Sequence, residues 1–131
     1  MIALDTNVLV RLLIEDDKDQ LAKALRVLEP LWESGGKALL TDVVLAELEW
    51  VLVSTYNANR AQILTSFHAL AADNRFEVQD RPRLLEALRR YQVGRAELSD
   101  YLVGLAGSSA GAGRTLTFDR ALRGDPVFQV L

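Results

Sequence analysis

A three-layer α/β/α sandwich around a central, largely parallel sheet is the fold class that this 131-residue chain predicts. Short apolar runs of strand length alternate with longer segments of helical periodicity, the order expected of βαβ units. Hydrophobic residues make up 50% of the chain, enough for a single domain over residues 1–131 that buries roughly two thirds of its unfolded-state surface. No internal repeat, low-complexity tract or linker interrupts the alternation.

Ile2 to Leu4 reads as the first strand and Asn7 to Ile14 as a short helix. Asp19 to Ser34 follows as a second helix stopped by Gly35-Gly36, with Pro30 expected to kink it or end it early. Lys37 to Leu40 forms the second strand, Val43 to Ser54 the third helix, and Asn59 to Ala72 a fourth, ended at Asp73-Asn74. Phe76 to Val78 is a third strand; Pro82 suits the first turn of the next helix, which runs to Val93 and stops at Gly94. A helix from about Leu98 to Ala110 is closed by the glycines at 111 and 113. Thr115 to Phe118 is then a strand, and Phe128 to Leu131 adds a last edge strand.

Composition removes several chemistries. Without cysteine there are no disulfides and no thiolate zinc or iron–sulfur sites, in keeping with a reducing cytosol. His68 is the single histidine, so a histidine-pair hydrolase and a multi-histidine zinc centre are excluded, and His68 reads as a packing or locally bonded residue. The N-terminus does not have the pattern of a signal peptide, no apolar run approaches the roughly 18 residues of a membrane span, and a cytoplasmic protein is expected.

Net charge is −3 and unevenly spread: residues 1–66 carry six Lys/Arg against ten Asp/Glu, residues 67–131 nine against eight. Arg81, Arg83, Arg89, Arg90, Arg95, Arg114, Arg120 and Arg123 give the second half its basic character. A guanidinium fork matches phosphate oxygens, which makes these arginines candidates for phosphate contacts. The overall acidity argues against a protein that grips duplex DNA through bulk positive charge.

Four carboxylates stand at the edges of apolar segments: Asp5 after Ile2-Ala3-Leu4, Glu47 within Val44-Leu45-Ala46, Asp100 before Tyr101-Leu102-Val103, and Asp119 after Leu116-Thr117-Phe118. Asp5 and Asp119 each follow a strand, at the carboxyl ends where open parallel sheets bind ligands. Glu47 borders the stripe marked by Val44, Leu48 and Val51, while Glu49, two residues on, is expected to point away. Asp100 shares a helix face with Gly104, Gly107 and Gly111, and with Glu97 if the helix extends that far, so a backbone or substrate can approach closely. Helix capping is the plain alternative for each aspartate, but does not account for mid-helix Glu47. Gathered together, such anions call for a cation, and oxygen-only ligation selects Mg2+ or Mn2+.

The segments Leu4-Asp5-Thr6-Asn7-Val8-Leu9, Leu45-Ala46-Glu47-Leu48, Glu97-Leu98-Ser99-Asp100-Tyr101-Leu102 and Leu116-Thr117-Phe118-Asp119-Arg120, in this order, resemble the PIN-domain nucleases. Length and motif order resemble the VapC-like toxin ribonucleases of type II toxin–antitoxin pairs. The resemblance implies Asp5, Glu47, Asp100 and Asp119 as the catalytic, metal-holding quartet, Glu97 as an additional ligand, and Thr6, Asn7 and Thr117 as auxiliary polar groups. It also implies an RNA substrate, a cognate antitoxin and a homodimer. Arg95, Arg114 and Arg120 are the arginines assigned to RNA. Glutamate at 97, where aspartate is common, and Leu98 in place of an aromatic depart from the pattern. An RNA-processing PIN nuclease without an antitoxin is the alternative. An aspartyl-phosphate domain is less favoured, because Asn7 stands where a second aspartate would be needed and Lys37 is the last lysine. A non-catalytic binding module would show no dependence on divalent ions.

Overall fold

The computed structural model describes residues 1–131 as five short strands and six helices. β1 (Ile2–Ala3), β2 (Ala38–Leu40) and β3 (Phe76–Val78) form a parallel sheet in the order β1-β2-β3, with Ile2 opposite Ala38 and Ala38 opposite Phe76. Parallel neighbours need long crossovers. α1 (Thr6–Leu13) and α2 (Lys18–Glu33) make the first of these, α3 (Asp42–Ser54) and α4 (Arg60–Ala72) the second. α5 (Arg81–Val93) and α6 (Leu98–Ser109) follow β3 and pack on each other. β4 (Thr115–Thr117) and β5 (Phe128–Val130) are also parallel, but form a separate ribbon without hydrogen bonds to β1. The expected central sheet is thus parallel throughout and divided in two.

Four of the helices begin at a residue whose side chain caps the first turn. Asp17 accepts from Gln20 N–H, Thr41 from Val44 N–H and Asp80 from Arg83 N–H, while Asn59 and Gln62 form a reciprocal capping box. Pro30 neither breaks nor shortens α2, which continues to Glu33. It lies in the last turn, where little helix is left to disturb and the carbonyls of Pro30 and Leu31 still accept from Ser34 and Gly36.

The core gathers fully buried Leu9, Leu40, Leu45, Leu48, Ile63, Phe67, Leu84, Leu88 and Leu98. In α3 the buried stripe is Leu45, Leu48, Glu49 and Leu52, spaced i, i+3, i+4, i+7. Glu49 is therefore inside the protein at 4% exposure, and Glu47 is on the exposed side. This reverses the expectation for Glu49: Val44 and Val51 are only half-buried and mark the border of the stripe rather than its centre.

The glycine face of α6 is also filled by the protein itself. Gly104 is buried, and a Cβ there would run into the Phe128 ring and Val127; at Gly107 it would meet the Thr115 hydroxyl. Glycine at these positions lets the C-terminal ribbon dock on α6.

Candidate active site

Hydrogen bonds link Asp5 and Glu47 through Thr6, and charge links Glu97, Asp100 and Asp119, so the carboxylates form two groups. In the first, Asp5 directly follows β1 and caps α1, its Oδ1 accepting from Thr6 N–H at 2.6 Å. The buried Thr6 side chain donates its hydroxyl to Glu47 Oε2 at 2.9 Å. Asn7 is exposed one residue further along.

In the second group, Asp100 lies in the first turn of α6 and accepts from Glu97 N–H at 3.0 Å. Asp119 follows β4 and caps a 3-10 turn, Arg120–Leu122, accepting from Ala121 N–H at 2.9 Å. Its own N–H donates to the Thr117 hydroxyl at 3.0 Å. Capping thus occupies one oxygen of each aspartate and leaves the other free.

Electrostatics tie the second group together. Burial raises the Asp100 carboxyl above its ordinary range, the Glu97 N–H opposes this, and the charge of Asp119 adds to the rise. Glu97 is raised by burial first, then by Glu49, Asp100 and Asp119, against the pull of Arg60. None of Asp5, Glu47, Glu97, Asp100 and Asp119 forms an ion pair, whereas seven other acidic side chains do. No three of them come within ion-ligating distance of one another.

Two residues outside the acidic motifs hold α6 in place. The Glu49 carboxylate accepts from Leu98 N–H and Ser99 N–H, both at 2.8 Å, and so caps α6 from the neighbouring α3. Arg60 clamps the loop before α6: its guanidinium lies 3.9 Å from the Tyr91 ring centroid and donates to the carbonyls of Tyr91, Gly94 and Ala96. The Leu45-Leu48-Leu52 spacing carries the signal for Glu49, since it places residue 49 in the buried stripe. No local pattern marks Arg60, whose partners lie more than thirty residues away in sequence.

The arginines assigned to RNA are all exposed: Arg95 before α6, Arg114 before β4, and Arg120 beside Asp119. His68 is an exposed residue of α4, away from both acidic groups in sequence and element. Trp32 is half-buried, bonding to Arg75 O and meeting Phe76 edge-on, and Phe67 is in the core. Trp50 is 70% exposed on α3. No helix is long and apolar enough to cross a membrane.

Strand-end aspartates, a helical glutamate held by a threonine, and an acidic first turn stand on a parallel α/β frame, and that frame is a nuclease-type fold. The chain belongs to the PIN domain family, which it matches over residues 2–123. Members are generally nucleases acting on RNA and typically bind divalent metals. No curated protein matches the chain.

Proposed function

We propose that the protein is a divalent-metal-dependent endoribonuclease, with Asp5, Glu47, Asp100 and Asp119 as the residues that hold Mg2+ or Mn2+ and Glu97 as an additional ligand. The observation that carries this reading is the set of five carboxylates without an ion pair, in which Asp119 raises the cost of charging both Glu97 and Asp100. The donor set suits the ion: it is oxygen-only, and Mg2+ takes one or two carboxylates, keeping waters and substrate phosphate for the rest. A cage of three carboxylates at ligating distance is therefore not required.

A bound divalent ion supplies an acidified water and positive charge for the phosphate oxygens. The chain's own residues do the positioning. Thr6 fixes Glu47, and Glu49 and Arg60 fix the α6 start that carries Glu97 and Asp100. Thr117 holds the turn of Asp119, and Arg120 offsets substrate charge beside it. In the reaction, water adds to phosphorus, the bond to the 3'-oxygen breaks, and the water's proton ends on the 3'-hydroxyl. The other product carries a 5'-phosphate, and neither a 2'-hydroxyl nucleophile nor a histidine base is needed.

Cleavage of single-stranded or looped RNA should require Mg2+ or Mn2+, and Asp5→Ala and Asp100→Asn should abolish it; Asp100→Asn should melt at or above the wild-type temperature, since a like charge is removed, while Asp5→Ala should melt a few degrees lower for the lost α1 cap and still be folded. Full activity in both variants, or in excess EDTA, would refute the assignment. The length and motif order further support a toxin of a type II toxin–antitoxin pair, acting as a homodimer that a cognate antitoxin restrains. Growth arrest on induced expression, relieved by Asp100→Asn and by the protein encoded alongside, is the expected result. Cleavage without growth arrest would instead mark an RNA-processing nuclease.

A further inference from the structure

A groove of about 430 Å3 opens between the C-terminal half of α5, the start of α6 and the segment after Asp119. Such a volume lies within the roughly 300–1,000 Å3 typical of ligand clefts. One wall bonds directly to an acidic residue: Ala121 donates its N–H to the Asp119 carboxylate at 2.9 Å, and Tyr101, in another wall, follows Asp100 in sequence. Its charged lining is Arg89, Arg90 and Arg123 against Asp125 alone. With Glu86, which pairs with both Arg89 and Arg90, counted beside Asp125, the groove keeps one net positive charge, in a chain that is acidic overall.

The three guanidinium groups are not equivalent. Arg90 is fixed by Asp125 at 2.6 Å and Glu86 at 3.0 Å. Arg89 also leans on Glu86, yet its side chain is 63% exposed. Arg123 is exposed and its side chain has no partner. Arg95 and Arg120, equally unpaired, stand in the segments that border the groove. A guanidinium held by a neighbouring carboxylate loses little further freedom when a phosphate arrives, and its fork still has donors to spare.

We infer that this groove seats the phosphate backbone of single-stranded RNA on one side of the bond to be cut, with Arg123 and Arg89 as the phosphate contacts and Arg90 as the fixed wall between them. This rests on the ribonuclease reading for its substrate, but makes its own demand on binding. A short fluorescein-labelled single-stranded RNA, titrated by anisotropy onto the full chain without divalent ions at several salt concentrations, measures it directly. Each phosphate contact contributes about 0.7 to the slope of log K against log salt for a single strand, so Arg89→Ala with Arg123→Ala should lower the slope by about 1.4 and weaken binding about tenfold. Arg123→Lys should keep most of the slope. Arg26→Ala, an exposed arginine on α2 without an ion pair, should match the wild type.

In turnover, the double variant should raise KM about tenfold and leave most of the loss in kcat/KM rather than kcat. Arg123→Ala alone gives the same reading at half the slope change, and cannot unfold the chain through a lost side-chain bond. A wild-type Kd and salt slope in both variants overturns the groove, even if RNA is cleaved. An arginine-dependent slope in a chain that cleaves no RNA keeps the groove and overturns the ribonuclease reading.

Discussion

Replacing Glu49 with alanine removes both acceptors from the N-terminus of α6 in one step. Leu98 N–H and Ser99 N–H lose bonds of 2.8 Å to a buried carboxylate. A bond to a charged partner is worth about 1.5–3 kcal/mol, and a whole N-cap about 0.5–2 kcal/mol. Water can reach part of the half-exposed Ser99, which puts the combined loss at about 3 kcal/mol. An unfolding entropy of about 2.1 cal/mol/K per residue over 131 residues is about 0.28 kcal/mol/K, so Tm should fall by about 11 °C. Glu49→Gln keeps one oxygen acceptor and should fall by about 5 °C, less than half as far. Differential scanning calorimetry measures both. RNA cleavage assayed well below either Tm should drop in the same order, because Glu97 and Asp100 travel with the first turn of α6. If Glu49→Ala melts within about 2 °C of the wild type, the capping bonds do not hold α6 and the positioning role fails.

Gly104→Ala should cost about 1–3 kcal/mol by forcing a methyl against Phe128 and Val127; unchanged urea denaturation would show that the ribbon does not dock there. Glu86 is held down to about 2 by hydrogen bonds from Arg89 and then Arg90. Its folded-state value lies below the ordinary 4.5, so its stabilisation is complete above that value and lost as pH falls toward about 2. Melts across this window should show the gap between wild type and Glu86→Gln closing with acid, and a constant gap contradicts the pairing. Adding Mn2+ should raise the wild-type Tm and leave that of a chain carrying both Asp5→Ala and Asp100→Asn unmoved. Trp50, Val43 and Val53 leave an apolar strip exposed on α3; if it is the dimer contact, Trp50→Glu should turn a dimer into a monomer by sedimentation, and a dimer that persists places the contact elsewhere.

Element type and order were legible along the chain because they depend on local chemistry. Gly35-Gly36, Asn59 with Gln62, Pro82 and Gly94 act on their own or neighbouring backbone, and the observed boundaries fall within about one residue of those read from them. The carboxylates proposed for the site were singled out for a related reason: they border or interrupt apolar runs, and such positions are visible in one dimension. Pro30 misled because its effect depends on how much helix remains beyond it.

What the amino-acid order could not decide was which distant groups meet. Glu49 lies one residue from exposed Trp50 and two from exposed Glu47, and only the packing of α3 on α6 turns it into the cap of another helix. Arg60, Arg89, Arg90 and Arg123 look alike as letters, yet one clamps a loop, two share Glu86, and one is left free at the groove. Hydrogen bonds and Coulomb interactions depend on distance through space, and a separation of 49 residues along the chain carries no information about a contact of 2.8 Å.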